Sequence, residues 1–160
     1  MEVVYTIIAL YVLFMVIWIM YVCRKRSKDK ENRKRLKYGT IELTPEEFLQ
    51  LRKDGLPKNG KARYNALSEN FAGVYVLYNQ TKNMYYVGQG QRVLSRVNAH
   101  FTGKGNGDVY ADYKYGDLFT ITLFALEESG FSSLNELERE AISAYGAYAN
   151  GYNKTRGNRG

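Results

Sequence analysis

Residues 73–90 read GVYVLYNQTKNMYYVGQG. Val74-Tyr75-Val76-Leu77-Tyr78 is a run of β-branched and aromatic residues, and Tyr85-Tyr86-Val87 is a second. Such side chains suit a pleated, half-buried surface. Between the runs, Asn79 to Met84 is polar and turn-forming. The stretch predicts a β-hairpin, and a hairpin seeds an antiparallel sheet.

Downstream the period changes. In residues 91–101 (QRVLSRVNAHF), Val93, Leu94, Val97 and Phe101 share one face at helical spacing. Thr102 to Asp108 holds three glycines and reads as a loop. No Gly-Lys-Ser/Thr follows those glycines, so they are not a nucleotide-binding loop. A short helix is expected near Val109–Tyr115, and Leu118–Leu126 alternates as a third strand. Ser133-Leu134-Asn135-Glu136 has the form of a capping box and opens a helix to about Tyr148. Residues 71–160 thus predict a small α/β (α+β) domain, a largely antiparallel three-stranded sheet flanked by helices.

Upstream, residues 39–70 read as a connector with one short helix. Thr44-Pro45-Glu46-Glu47 is its start, and Phe48, Leu49 and Leu51 carry it toward Gly55. Residues 3–23 (VVYTIIALYVLFMVIWIMYVC) carry no charge. A helix of that length spans roughly 30 Å, the hydrocarbon thickness of a bilayer. Residues 1–23 are therefore expected to form a transmembrane helix ahead of the α+β domain. The preceding residues are acidic and no small-residue cleavage site follows, which argues against a signal peptide.

The formal net charge of +7 is unevenly spread. Residues 24–37 hold nine Lys and Arg against two acids, whereas residues 38–160 hold 14 against 13. Residues 24–38 read as a basic juxtamembrane collar. Its position just after the span puts the N-terminus outside and the C-terminal domain in the cytoplasm, as a single-pass protein of the cytoplasmic (inner) membrane. Anionic lipid headgroups explain such a collar without any nucleic acid. A single Cys excludes a disulfide framework, and Cys23 with His100 cannot form a Cys/His zinc site.

Three polar side chains stand out. On the last predicted helix the 100° step puts Glu138 between Leu134 and Ile142, on the apolar stripe, while Glu136 and Glu140 face solvent. A carboxylate there needs a partner. It is either a structural salt bridge, for instance to Arg96, or a functional ligand. Arg96 and His100 lie at i and i+4. They read either as surface residues flanking a core stripe or as a phosphate clamp beside an imidazole.

In these residues the sequence closely resembles the GIY-YIG nuclease family. Gly73-Val74-Tyr75 and Tyr86-Val87-Gly88 match the two halves of its signature, with ten residues between the tyrosines. Arg96 follows Gly88 by eight, His100 follows Arg96 by four, and Glu138 precedes a closing Gly151-Tyr152-Asn153. Val stands for Ile in both halves, and the further His that some members carry is absent from Lys104–Asp108. The resemblance implies hydrolysis of DNA phosphodiesters with one divalent metal ion, Mg²⁺ or Mn²⁺, giving 5′-phosphate and 3′-hydroxyl ends. It implies Glu138 as metal ligand, Arg96 as phosphate clamp, and Tyr75 as the group that takes or relays the proton of water, with His100 as the rival base. Tyr86 and His100 would position water or phosphate, Asn153 would fix the site or contact phosphate, and Gly73 and Gly88 would be structural.

Charge within the domain agrees with a nucleic-acid partner. Residues 52–104 carry nine Lys and Arg against two acids, and residues 108–140 carry eight acids against two bases. A near-neutral domain so divided has one basic face, expected to include Arg92, Arg96 and Lys104. The expected function is a membrane-tethered DNA endonuclease acting near the cytoplasmic face, on incoming foreign DNA as in phage exclusion. Expected partners are DNA, the lipid bilayer and another membrane protein. The alternative is a catalytically silent domain serving as a membrane-anchored nucleic-acid-binding or scaffold module.

Overall fold

The computed structural model describes residues 2–36, 41–53 and 70–158, with side chains in the first stretch described continuously only over 10–24. In chain order the elements are α1 (Glu2–Leu36), β1 (Ile41–Leu43), α2 (Pro45–Lys53), β2 (Gly73–Asn79), β3 (Met84–Gly90), α3 (Val93–Phe101), α4 (Gly107–Lys114), β4 (Phe119–Ala125), α5 (Leu126–Ser129) and α6 (Leu134–Ala144). Four strands form one sheet in the order β1-β4-β2-β3, and each pairing is antiparallel.

The hairpin is as its residues dictate. β2 and β3 pair in register from Gly73↔Gly90 to Asn79↔Met84. In the turn, Asn79 Oδ1 accepts from the Lys82 N–H at 3.0 Å, and Asn83 takes φ 53°. Asn visits that left-handed conformation more readily than most residues.

β2 is buried on both faces, so its alternation divides two cores. Tyr75 and Leu77 point to one side, with Val93, Leu94, Val97 and Phe101 of α3, Val109 of α4 and Phe48 of α2. Val74 and Val76 point to the other, with Leu137, Ala141 and Ile142 of α6. The closing tail returns to β3, where the Tyr152 N–H donates to the Tyr85 carbonyl at 2.9 Å. The Tyr152 hydroxyl donates to Asp112 at 2.6 Å and accepts from buried Asn79 at 2.7 Å.

Three expectations change. The sheet has four strands, not three. Ile41-Glu42-Leu43 adds β1 to the edge at β4, in register Ile41↔Leu123, and three residues are too few to show a period. The described part of the expected connector also joins the core. Phe48 is 1% exposed, and the cap that starts α2 forms in both directions, Glu47 N–H to Thr44 Oγ1 at 3.2 Å and Thr44 N–H to Glu47 Oε2 at 2.8 Å. The last helix stops at Ala144, because the Tyr145, Gly146 and Ala147 N–H groups fold back onto the carbonyls of Ala141, Ser143 and Ile142. At its start, Ser133 Oγ accepts from Glu136 N–H, and the Glu136 carboxylate accepts from the Ser132 N–H and hydroxyl.

α1 is one helix through the uncharged run. From Leu10 to Tyr21 its large apolar side chains are 38–65% exposed on every side. Among the described residues no helix is long and apolar enough to cross a membrane, so the transmembrane helix expected over residues 1–23 is not found there.

Candidate active site

Where α3 and α6 approach the β2–β3 hairpin there is an open, polar cavity of about 420 Å³. Tyr75 of β2, Tyr86 and Gln89 of β3, Arg96 of α3, and Asn135 and Glu138 of α6 all line it. The sequence-predicted residues Tyr75, Tyr86, Arg96 and Glu138 thus come together from four elements. Gly88 supplies the close approach this needs, because a Cβ there would collide with the Tyr75 ring and hydroxyl. Gly73 sits in the sheet between Gly90 and Ala125.

One wall of the cavity is dry. Tyr75 is fully buried, and its hydroxyl lies 2.8 Å from Nε2 of His100, itself 1% exposed. On the other edge of the imidazole, the Asn106 backbone N–H donates to Nδ1 at 2.9 Å. Nδ1 must then carry a lone pair, so in the neutral ring the proton is on Nε2 and His100 donates to Tyr75. Burial, with a smaller contribution from Arg96, lowers the His100 pKa to about 4, so the ring is neutral at pH 7. Burial also raises the Tyr75 pKa well above that of a free phenol, with Tyr86 adding to the rise and Arg96 opposing it. Tyr86 is half-buried, its ring 6.1 Å from Tyr75 and 4.8 Å from His100. Its pKa is raised by burial.

The other wall is wet. Arg96 is exposed and bears electrostatically on both tyrosines. Glu138 is half-buried at the rim, not within the core stripe. Among the described residues it has no salt bridge to Arg96 or any other cation, and its hydrogen-bond partner is neutral: Gln89 Nε2 donates to Oε2 at 2.9 Å and to Asn135 Oδ1 at 2.7 Å. The structural salt bridge considered for Glu138 is therefore not formed. His100 is likewise no surface flank.

Other expected residues lie elsewhere. Arg92 is exposed at the start of α3 and Lys104 is exposed just past its end, and neither lines the cavity. Asn153 has both side-chain groups occupied by the β3 backbone. Its Oδ1 accepts from Val87 N–H at 2.8 Å, and its Nδ2 donates to the Val87 carbonyl at 2.7 Å. It fixes the strand that carries Tyr86 and Gly88. Gln89 was not singled out from the sequence, although a signal existed. Period-2 alternation puts it on the face of Val87, which is the face α6 covers.

The family model described as the GIY-YIG catalytic domain matches residues 71–153. No curated protein and no solved structure matches the chain.

Proposed function

The chain belongs to the GIY-YIG family, whose catalytic domain is characteristic of nucleases acting on DNA, and from that premise we propose that it is a membrane-tethered, divalent-metal-dependent DNA endonuclease. The observation that carries the reading is the convergence of Tyr75, Tyr86, Arg96 and Glu138 on one polar cavity.

The cavity suits a hard cation. Glu138 offers a carboxylate whose orientation Gln89 holds through a single oxygen. Among the described residues no group of three or more His, Cys, Asp and Glu side chains could hold a metal. Mg²⁺ commonly takes only one or two carboxylates and fills its remaining places with water and phosphate oxygens. Glu138 would hold Mg²⁺ or Mn²⁺ in that way. When bound, the cation supplies charge stabilisation to the phosphate and the leaving oxygen.

The chain's own groups divide the remaining work. Arg96 neutralises the non-bridging oxygens as charge builds on the phosphate. Tyr75 holds the attacking water and takes its proton. Its raised pKa makes it a phenol at neutral pH, so it becomes a base only when positive charge in the cavity lowers that pKa, as Arg96 already does. His100 donates to Tyr75 and does not line the cavity, so it positions the phenol rather than meeting the water. Tyr86 orients water or phosphate.

Tethering rests on the uncharged run at 3–23, the basic collar that follows it and the all-round exposure of the α1 apolar side chains. Orientation by the collar puts the catalytic domain at the cytoplasmic face. Cleavage confined there would act on DNA entering the cell and spare the chromosome, which fits a role in excluding foreign DNA.

The test is to incubate the full chain, in detergent micelles, with supercoiled plasmid and Mg²⁺, Mn²⁺ or chelator. Metal-dependent nicking or linearisation is expected. A folded chain that cuts no DNA under any of these conditions points to the silent binding module instead. Membrane fractionation of cells expressing the full chain, before and after deletion of residues 3–23, tests the tether.

A further inference from the structure

A second cleft, of about 280 Å³, lies on the next face of α6, lined by Arg139, Ile142, Ser143, Gly146, Tyr148 and Arg156. No acidic side chain lines it. Arg139 directly follows Glu138, and Ser143 is four residues further on, so both project from one helix face about 100° around from the Glu138 carboxylate. Asn158 connects the two cavities. It lines the Glu138 cavity, and its carbonyl accepts from Arg139 Nη1 at 3.0 Å.

The tail shapes this cleft. Gly157 takes φ +94°, and a Cβ there would sit 2.9 Å from Arg139 Cγ. Glycine therefore lets the chain turn against the arginine stem. Arg156 is held over the Tyr148 ring, 5.2 Å from its centre. The carbonyls at the end of α6, which would repel an anion, are occupied by the N–H groups of Tyr145, Gly146 and Ala147.

We propose that this cleft is a second phosphate subsite, taking a backbone phosphate of the DNA strand as it runs on from the scissile position. The identity of the ligand rests on the nuclease reading. Two guanidiniums and a hydroxyl lining one cleft supply the charge and the donors that a phosphodiester takes. A DNA strand seated at Glu138 carries further phosphates past Asn158, which lines that cavity and holds Arg139 of the cleft. Contacts of this kind set register without reading sequence. The cleft extends the DNA-contacting surface from α3, where the charge pattern puts it, to the far side of α6.

The test measures binding apart from cutting. Fluorescence anisotropy of a labelled duplex, in chelator and over a salt series, compares the full chain with Arg139→Gln/Arg156→Gln and Arg139→Lys/Arg156→Lys. The glutamine pair is expected to weaken affinity roughly three- to tenfold and to reduce the slope of log affinity against log salt by about 1. The lysine pair should restore the slope. If the glutamine pair does not fold, the exposed Arg156→Gln alone is expected to weaken binding by roughly twofold or more. Unchanged affinity and slope in the glutamine variants overturn the subsite, as does a lysine pair no better than the glutamine pair. The nuclease reading fails separately. A chain that binds DNA through these arginines but cuts none keeps the subsite and loses the nuclease. One that cuts normally without them keeps the nuclease and loses the subsite.

Discussion

The two sides of the Glu138 cavity hold ionisable groups under opposite conditions. On the dry side, Tyr75 and His100 are fully buried, with the Tyr75 hydroxyl against His100 Nε2, Arg96 and Tyr86 and the His100 Nδ1 against the Asn106 N–H. Burial shifts both pKa values toward the neutral forms. On the wet wall, Arg96 is exposed and Glu138 is half-exposed, so water reaches both. The contrast teaches how one site keeps neutral and water-facing groups apart: the phenol and imidazole are packed into the core, and the guanidinium and carboxylate stand at the rim, where the proposed mechanism needs them.

The largest effect should come from the dry wall. Tyr75→Phe removes the proton acceptor and is expected to slow cleavage by roughly 10²- to 10⁴-fold. It also leaves the His100 Nε2–H buried without a partner, which should cost about 1–3 kcal/mol of stability in a denaturant melt. A Tyr75→Phe protein that cuts at the normal rate would remove the phenol from the reaction.

A smaller effect belongs to the rim. Gln89→Leu frees the Glu138 carboxylate without touching its charge. The metal concentration needed for half-maximal cleavage should rise about tenfold, with little change in rate at saturating metal. A fall in saturated rate alone would mean that Gln89 acts elsewhere.

The pH profile sharpens the comparison further. Because the Tyr75 pKa is raised, its proton-free form grows with pH well past neutrality. The cleavage rate should climb through the alkaline range without levelling near pH 7. Arg96→Gln removes a group that lowers this pKa, so any levelling should move to still higher pH. A plateau near neutrality would instead point to an unshifted imidazole.

The smallest effect is on stability. The folded His100 pKa of about 4 lies below its unfolded value near 6.5. Between these values the unfolded chain binds more protons, so stability is lost as pH falls through the window. From pH 7 to pH 5.5 the loss attributable to His100 is about 1 kcal/mol. It should be absent from His100→Gln, as paired denaturant melts would reveal.

Legibility from the sequence followed the strength of local periodicity. The hairpin, α3 and β4 were readable because Val74–Tyr78, the Val93/Leu94/Val97/Phe101 face and Leu118–Leu126 each hold a period over several residues. β1 was not, since Ile41–Leu43 becomes a strand only by pairing with distant β4. Tyr75, Tyr86, Arg96 and Glu138, which line one cavity, were singled out together through the family resemblance. The state of His100 was not readable, because it depends on a backbone N–H from a loop that carries no side-chain signal. For Asn153 the sequence left open whether it fixes the site or contacts phosphate, because its bonds to the Val87 backbone form only when the tail returns to β3. Glu138 looked like a core charge because helical angle alone cannot tell the stripe from its edge.

The most direct measurement is plasmid cleavage by the full chain in Mg²⁺ or Mn²⁺, with Glu138→Gln set beside Glu140→Gln. Loss of about a thousandfold or more in Glu138→Gln, with Glu140→Gln close to the parent, is the result predicted for a rim carboxylate that holds the metal. Cutting that persists in Glu138→Gln, or that proceeds undiminished in chelator, would contradict it.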